Sequence, residues 1–287
     1  MHRSKRVTPY LYLLPIIILF GILLVYPIIT VIGYSFQNSV ITKPDSEFVE
    51  FKHYAKVLSE SKFWTAFRNS VEFSLLSMLF HLILGMMFAL MLNSKLISSR
   101  MRGFFRAAYI LPWTFTVSIV AILWKLMLNN SGIINQIFDS NIDWFGTKSY
   151  AKWVIIFVNV WCSFPFYMVS ILAGLQGISP TYYEAASIDG ANGIKSFIHI
   201  TLPQLKPVLI SLMMMDFIWS MQQLSLTYIT TGGGPAGSSE TLGTYTYNLA
   251  FSKYKFAQAS ASAVIIMLIC LAVAVFYVKH QARRDSE

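Results

Sequence analysis

Charged residues are scarce in this sequence. Asp, Glu, Lys and Arg together make up 12% of its 287 residues, whereas a soluble domain usually carries about 25%. Residues with hydrophobic side chains make up 55%. Because so few charges cannot cover a surface that faces water, the composition excludes an ordinary soluble domain. It favours a protein whose solvent is a lipid bilayer.

Cysteines are few, and a phosphate-binding glycine loop is absent from the sequence. The two cysteines, Cys162 and Cys270, lie inside apolar runs, which excludes a disulfide framework and a cysteine metal centre. No segment matches the G-x4-G-K-[ST] phosphate loop, and the glycines at 232–234 are followed by Pro235 rather than by lysine. We therefore expect no nucleotide or metal site in this chain. Because no linker or low-complexity tract interrupts it, we expect one domain over residues 1–287.

Long apolar runs dominate what is present. A membrane-spanning helix needs about 20 consecutive apolar residues, so the predicted fold class is an all-α integral membrane protein with six spans. The first run is too long for a signal peptide, and "VYPIITVIGYSF" offers no small-x-small cleavage site. The six predicted spans are residues 10–32, 71–92, 104–128, 153–175, 208–230 and 259–278.

Basic residues beside the spans predict the orientation. Short loops rich in Lys and Arg stay on the cytoplasmic side, and three such segments share one face of a six-span chain. Both termini are therefore expected in the cytoplasm. The formal charge of +9 thus reports on the orientation of the spans. It does not indicate nucleic-acid binding, because the sequence shows no basic groove with interleaved aromatic residues. The basic residues concerned are Arg3, Lys5, Arg6, Lys95, Arg100, Arg102, Arg106, Lys279, Arg283 and Arg284.

Two loop segments carry further expectations. "SESKFWTAFRNSVEF" has helical spacing and is expected to lie along the membrane interface ahead of the second span. "TTGGGPAGSSETL" ends the fifth span, because its glycines and proline permit close turns. This second segment is either a flexible loop or a gate on the substrate side.

A polar insert at 182–207, "YYEAASIDGANGIKSFIHITLPQLKP", separates the fourth and fifth spans and would face the cytoplasm. Its pattern predicts two short helices joined by a turn at Gly190 and Gly193, with the second helix ending at Pro203. Apolar residues on one side of that helix should not stay exposed to water. Either the helix folds back onto its own bundle or a partner covers it. The apolar residues are Ile194, Phe197, Ile198 and Leu202.

The fourth and fifth spans each carry a polar stripe. An ionisable side chain in mid-membrane costs roughly 2.5–3.5 kcal/mol or more and marks a functional candidate, and Asp216 is the clearest case. Polar groups beside an aromatic ring suit a sugar, but they also hold membrane helices together, and the residues alone leave both interpretations open. At helical spacing the stripes comprise Asp216, Trp219, Ser220 and Gln223, and Asn159, Cys162, Ser163 and Phe166.

The insert also carries a motif. It matches the pattern E-A-A-x3-G-x9-I-x-L-P at every defined position. On this motif the chain resembles the permease subunits of binding-protein-dependent ABC importers. The segments "TTGGGP", "FFRAAYILPW" and "FWTAFRNSV" resemble the maltose-type sugar branch of that family. The motif residues are Glu184, Ala185, Ala186, Gly190, Ile200, Leu202 and Pro203.

This resemblance implies an assembly. The insert would be a coupling helix seated in a cleft of an ATPase subunit, with Glu184 making a polar contact and Gly190 shaping the turn. The implied partners are a second homologous permease subunit, two ATPase subunits that bind ATP and Mg, and an extracytoplasmic sugar-binding protein. The chain itself would translocate a sugar or oligosaccharide across the cell membrane by alternating access, without catalytic residues of its own.

The resemblance also implies a substrate site on the two polar stripes. Cys162 matches a site position, but a thiol is a poor partner for sugars, so it is expected only in the wall. The site of similar permeases is rich in asparagine and small hydroxyl groups, whereas this chain has Asp216, Trp219 and Gln223 there, so the identity of the sugar is not transferred. We expect the acid to bind hydroxyl groups rather than an amino-sugar. The predicted substrate-binding residues are Asn159, Ser163, Phe166, Asp216, Trp219, Ser220 and Gln223.

Other functions stay open at this point. The same importer class could carry a polyol-type solute such as glycerol phosphate, which would favour Arg or Lys in the site. A stand-alone secondary transporter could use Asp216 as its proton carrier. A membrane enzyme would need an acid next to a histidine, but the acids look scattered and His199 lies inside the motif. His81 is expected to hydrogen-bond between helices rather than to bind a ligand.

Overall fold

The computed structural model describes residues 4–38, 47–94 and 96–284, with the side chains of residues 12–38, 47–94 and 96–279. Of the basic residues used for orientation, Arg3 and Lys95 lie outside the described residues. The side chains of Lys5, Arg6, Arg283 and Arg284 do so as well. The described residues contain no β-strand, only an isolated bridge between Gln37 and Phe48. The predicted all-α class is thus confirmed.

The described residues contain fourteen α-helices and three π-helical turns. The α-helices are α1 Ser4–Phe20, α2 Tyr26–Ser35, α3 Lys52–Ser59, α4 Ser61–Asn93, α5 Ser99–Thr114, α6 Val117–Met127, α7 Ile133–Ile137, α8 Lys148–Gln176, α9 Pro180–Ile188, α10 Gly193–Ser196, α11 Leu202–Met221, α12 Ser225–Thr230, α13 Leu242–Tyr247 and α14 Phe256–Arg284. The π-helical turns are Gly21–Val25, Phe197–Thr201 and Asn248–Ser252.

Five helical segments of the described residues are long and apolar enough to cross a membrane. A sixth crossing exists if α5 and α6 together form one broken span. The helical spacing expected ahead of the second span is confirmed, because α4 begins at Ser61 and continues without a break into that span. The placement of this segment along the membrane interface stays a prediction. The five segments are Tyr12–Ser35, Ser61–Asn93, Lys148–Gln176, Gly193–Met221 and Phe256–Lys279.

The predicted third span, 104–128, is wrong as a single helix. It breaks at Phe115 and Thr116, and α5 and α6 meet there at an angle of 92°. Both break residues have extended backbone, with ψ of 147° and 144°. Thr116 occupies the N-cap position of α6, where threonine is among the favoured residues. Hydropathy could not reveal this break, because the apolar run continues through it.

The predicted fifth span, 208–230, also breaks. Helix α11 ends at Met221 and α12 begins at Ser225. At the break, the Gln223 carbonyl accepts a hydrogen bond from Thr241 Oγ1 at 3.0 Å. The absence of a side chain on Gly243 allows this approach, since a Cβ there would lie 2.9 Å from the same carbonyl oxygen. The segment after α12 thus supplies a hydrogen-bond donor for a backbone carbonyl that lies between α11 and α12.

The expectation that Pro203 ends the second helix of the insert is wrong. The helical segment continues from Gly193 to Met221. Ahead of the proline the chain adopts the π-helical turn Phe197–Thr201, in which the Leu202 N–H donates to the Phe197 carbonyl. Proline cannot donate and its ring crowds the carbonyl four residues earlier. The wider turn accommodates both effects, and Pro203 lies in the first turn of α11.

Contacts divide the chain into two compact units. The first comprises Met1–Phe63 with Tyr245–Ile269, and the second comprises Trp64–Thr244 with Cys270–Glu287. In the first unit, Phe63 packs edge-on against Tyr245, whose hydroxyl donates to Glu60 at 2.9 Å. The single domain expected from the sequence stays a prediction.

The second unit contains two clusters of buried apolar side chains. One joins Phe73 of α4, Val120 of α6 and Ile155 of α8. The other joins Ala89 of α4 to Tyr167 of α8 and Leu205 of α11. Helices α4 and α8 contribute to both clusters and therefore form the frame on which α5, α6 and α11 are placed.

Candidate functional site

A cavity of about 260 Å³ lies within the second unit, among α5, α6, α8 and α11. All seven residues predicted for a substrate site line it, so the structure brings the two polar stripes together. Cys162 lines it as well, with its thiol 3.5 Å from the Pro112 carbonyl. The lining residues are Trp113, Phe115, Val117, Asn159, Cys162, Ser163, Phe166, Tyr167, Asp216, Trp219, Ser220 and Gln223.

The break between α5 and α6 places three residues at the cavity that sequence reasoning missed. Trp113 ends α5, Phe115 lies in the break and Val117 opens α6. In a continuous third span, Phe115 would point away from the face that Trp113 and Val117 share at helical spacing. The proline and aromatic residues of "LPWTF" were the available signal that a span turns at this point.

Three aromatic rings form a continuous chain along the cavity. The Trp113 and Phe166 rings stack with centroids 5.5 Å apart and an interplanar angle of 28°. The Phe166 ring lies 5.6 Å from that of Trp219. Trp113 and Trp219 keep about half of their surface exposed. Exposed aromatic faces beside hydroxyl, amide and carboxylate groups can bind a ligand that has both apolar and polar faces.

Asp216 is held by three side chains. Its Oδ2 atom lies 2.8 Å from His81 Nδ1 and accepts a hydrogen bond from the Tyr167 hydroxyl at 3.0 Å. Its Oδ1 atom accepts from Ser220 Oγ at 3.3 Å. The carboxylate is almost fully buried. A buried carboxylate is tolerated where donors of this kind surround it, and these donors come from α4, α8 and α11.

His81 is completely buried behind the cavity wall. Its Nε2 atom lies 3.3 Å from the Asn159 carbonyl oxygen. The expectation that His81 hydrogen-bonds between helices agrees with both contacts. Its pairing with Asp216, 135 positions away in the sequence, was not predicted.

The cavity lining is acidic in character. Among its described residues, Asp216 is the one carboxylate, and neither Lys nor Arg is present. The carboxylate and the Asn159 and Gln223 amides offer acceptors, while Ser163 and Ser220 can donate or accept. This set suits a ligand rich in hydroxyl groups and offers no cation to a phosphate.

The residues of the E-A-A motif lie on α9, on the turn after it, in the π-helical turn that contains Ile200, and at the start of α11. Glu184 and Ala185 are exposed, Ala186 is partly buried, and the exposed Leu202 and Pro203 begin α11. Gly190 has φ of +75° and open space around it, so the turn requires its backbone conformation rather than its small size.

The apolar residues of the insert divide between two faces. Ile200 packs with Tyr183 against the buried cluster of α4, α8 and α11, and the Tyr183 hydroxyl lies 2.9 Å from Thr201 Oγ1. Ile188 and Ile194 are 86% and 70% exposed. The insert thus does not fold its whole apolar surface back onto its own helices.

Comparison with known families decides the class of protein. Residues 81–285 match the family described as the inner membrane component of binding-protein-dependent transport systems. The chain belongs to this family. It is therefore a multi-pass membrane permease, which agrees with its apolar helices, and the family resemblance of the E-A-A motif is confirmed.

Curated relatives of this permease are named for saccharide transport. The chain is 36% identical to the trehalose/maltose transport system permease protein MalF of Thermococcus litoralis, over 83% of this chain and 82% of the relative. It is 30% identical to the sulfoquinovosyl glycerol transport system permease protein SmoG of Agrobacterium fabrum, over 85% and 80%.

A solved structure has the same fold. The match is to a chain of a bacterial ABC transporter involved in the import of the acidic polysaccharide alginate. The TM-score is 0.83 and the identity 25%, covering 99% of this permease and 98% of that chain. The fold of this permease, including its broken spans, thus resembles that of a solved importer chain over 99% of its length.

Proposed function

We propose that this permease subunit translocates a sugar or oligosaccharide through the cavity around Asp216, driven by ATP hydrolysis in partner subunits. The proposed complex contains a second homologous permease, two ATPase subunits and an extracytoplasmic binding protein that delivers the sugar. Both termini and the insert lie on the cytoplasmic side. The observation that carries the proposal is the meeting of aromatic faces and hydroxyl-binding groups in one cavity.

The chemistry of the cavity supports a saccharide. Sugar rings present apolar C–H faces and a rim of hydroxyl groups. The stacked rings of Trp113 and Phe166 match the faces, and Asp216, Asn159 and Gln223 match the rim. The relatives named for trehalose, maltose and sulfoquinovosyl glycerol transport support the same substrate class.

The exposed part of the E-A-A motif supports coupling to an ATPase. Glu184 and Ala185 are exposed beside the exposed Ile188, and Tyr183 and Ile200 anchor the insert to the spans. An apolar surface rimmed by polar groups is typical of a protein interface. Because α10 is continuous with α11, a displacement of the insert by the ATPase moves the helix that carries Asp216 and Trp219. That motion is the proposed mechanism of alternating access.

Two alternative functions are less well supported. A polyol phosphate would favour Lys or Arg, and the described lining has neither. A stand-alone proton-coupled transporter needs a carboxylate free to exchange its proton, whereas Asp216 is held by His81, Tyr167 and Ser220.

Reconstitution tests the proposal. The full chain, purified with its partner subunits and binding protein, should take up radiolabelled trehalose or maltose into liposomes only when ATP is present. Trp219→Ala should reduce uptake at least about tenfold while the complex stays assembled. Uptake by the permease alone, without nucleotide, would refute the ATP-driven mechanism. Unchanged uptake in the Trp219 variant would remove this cavity from the transport path.

A further inference from the structure

The contacts of His81 determine where its protons lie. Nε2 faces the Asn159 backbone carbonyl, which can only accept a hydrogen bond. Nδ1 faces Asp216 Oδ2 at 2.8 Å. A neutral imidazole has one donor nitrogen and one acceptor nitrogen. If the ring were neutral, its acceptor nitrogen would therefore direct a lone pair at the Asn159 carbonyl oxygen or at Asp216 Oδ2.

The surroundings of Asp216 indicate which partner holds the shared proton. The hydroxyl groups of Tyr167 and Ser220 also point their donors at the carboxylate. Hydrogen bonds donated to a carboxylate favour its ionised form. With three donors around it, Asp216 is best satisfied as the anion and His81 as the cation with both nitrogens protonated.

From this geometry we infer that His81 is a charged positioning residue of the transport site, which neutralises Asp216 and orients its carboxylate toward the cavity. Oδ2 is occupied by His81 and Tyr167. Oδ1 has only the longer contact with Ser220 and so retains the capacity to accept a hydroxyl from a substrate. His81 does not line the cavity and acts through Asp216.

Among the described residues that line the cavity, neither Lys nor Arg competes with His81 for the carboxylate. The titratable group in contact with the pair is Tyr167 of α8, through its hydroxyl and its ring. A buried pair of opposite charges is stable when further hydrogen bonds complete it, and removal of one partner leaves the other charge uncompensated. A variant that lacks the His81 ring would therefore leave the Asp216 carboxylate without its cation.

This inference rests on the proposed function for its role in transport, but its structural part can be tested separately. The 15N NMR signals of His81 are recorded at neutral pH in the full chain purified with its partner subunits and assigned by their loss in His81→Asn. We expect both ring nitrogens to be protonated. Asp216→Asn, which removes the carboxylate that the Nδ1 proton faces, should leave one ring nitrogen unprotonated. An unprotonated ring nitrogen in the wild type would overturn the inference, whether or not any sugar is transported.

Transport kinetics test the positioning role, with trehalose and maltose as probes. His81→Leu should raise KM at least about tenfold with a smaller effect on turnover. His81→Asn, whose amide can donate from the place of Nδ1, should recover part of the KM that His81→Leu loses.

Ser77→Ala is the matched control. Ser77 lies one turn from His81 on α4, is fully buried and makes no hydrogen bond to a described residue, so its loss should not change KM. If His81→Leu keeps the KM of the wild type, His81 has no positioning role. If the wild type transports none of the probes while the NMR result holds, the proposed substrate class fails and the charged pair stands.

Discussion

Gly85 of α4 touches the backbone of Tyr167 on α8 so closely that no side chain fits between them. A Cβ on Gly85 would lie 2.5 Å from Tyr167 Cβ and 3.1 Å from the Met168 nitrogen. Tyr167 in turn donates its hydroxyl hydrogen bond to Asp216. The close approach of α4 and α8 is thus one condition for the arrangement of the cavity.

Gly85→Ala should force α4 and α8 apart and displace Tyr167 from Asp216. Overpacking of this kind costs about 1–3 kcal/mol. We expect a lower melting temperature of the purified complex and reduced sugar uptake. Gly103→Ala is the control, since a Cβ at that helical position meets nothing within 4 Å. Equal melting temperatures for the two variants would contradict the close contact.

Gly190→Ala should strain the turn of the insert without a steric clash. Its φ of +75° disfavours any residue with a Cβ, at a cost of about 1–2 kcal/mol. The expected result is weaker co-purification of the ATPase subunit, together with faster hydrogen exchange in the turn. Gly193→Ala, three residues later, has neither a positive φ nor a close neighbour and should retain the ATPase. Full retention in the Gly190 variant would show that the turn can adopt another conformation at no cost.

Asn69 ties the glycine-rich loop after α12 to α4. Its side-chain amide donates to the carbonyls of Gly237 and Glu240 at 2.9 and 3.0 Å. Asn69→Ala leaves these carbonyls without that donor, at a cost of about 1–3 kcal/mol, so limited proteolysis should cut the loop faster. The neighbouring Arg68→Ala breaks only an exposed ion pair with Glu72, and such pairs contribute about 0–1 kcal/mol. Identical cleavage of both variants would mean that Asn69 does not anchor the loop.

His53 should make the segment around α3 sensitive to acid. Burial lowers the pKa of His53 below its ordinary value of 6.5; the hydrogen bond to the Gln37 carbonyl opposes this shift, and Lys52 and Lys56 add to it. As the pH falls, His53 takes up a proton in the unfolded state before it does so in the folded state. The contribution of neutral, buried His53 to folding stability is therefore fully present above about pH 6.5. It is lost as the pH falls through the lower pKa of the folded state.

Hydrogen exchange of the α3 amides, corrected for intrinsic rates, measures this acid sensitivity. Protection should fall between about pH 7 and 5. His53→Gln should remove most of the pH dependence, whereas the same change at the exposed His199 should leave the α3 amides unaffected. A profile unchanged by His53→Gln would assign the acid sensitivity to another group.

Periodicity predicted the residues of the candidate site because the two polar stripes each follow a regular helix. Asp216, Trp219 and Ser220 lie within α11, and Asn159, Ser163 and Phe166 lie within α8. Helical geometry alone puts each set on one face. Trp113 and Phe115 could not be found in this way, because they reach the cavity through the break between α5 and α6. The partnership of His81 with Asp216 was missed for a related reason, since it depends on which helices pack together.

The sequence by itself determined the solvent, the helical class, the family motif and the residues of each polar stripe. These follow from composition and local spacing, which report on single segments in lipid. Only the tertiary structure decided where spans break, that the helix runs on through Pro203, and that His81 meets Asp216. Such features depend on hydrogen bonds and contacts between segments that are distant in the sequence. A membrane helix can break where neighbouring groups form hydrogen bonds with the backbone groups that the break leaves unpaired.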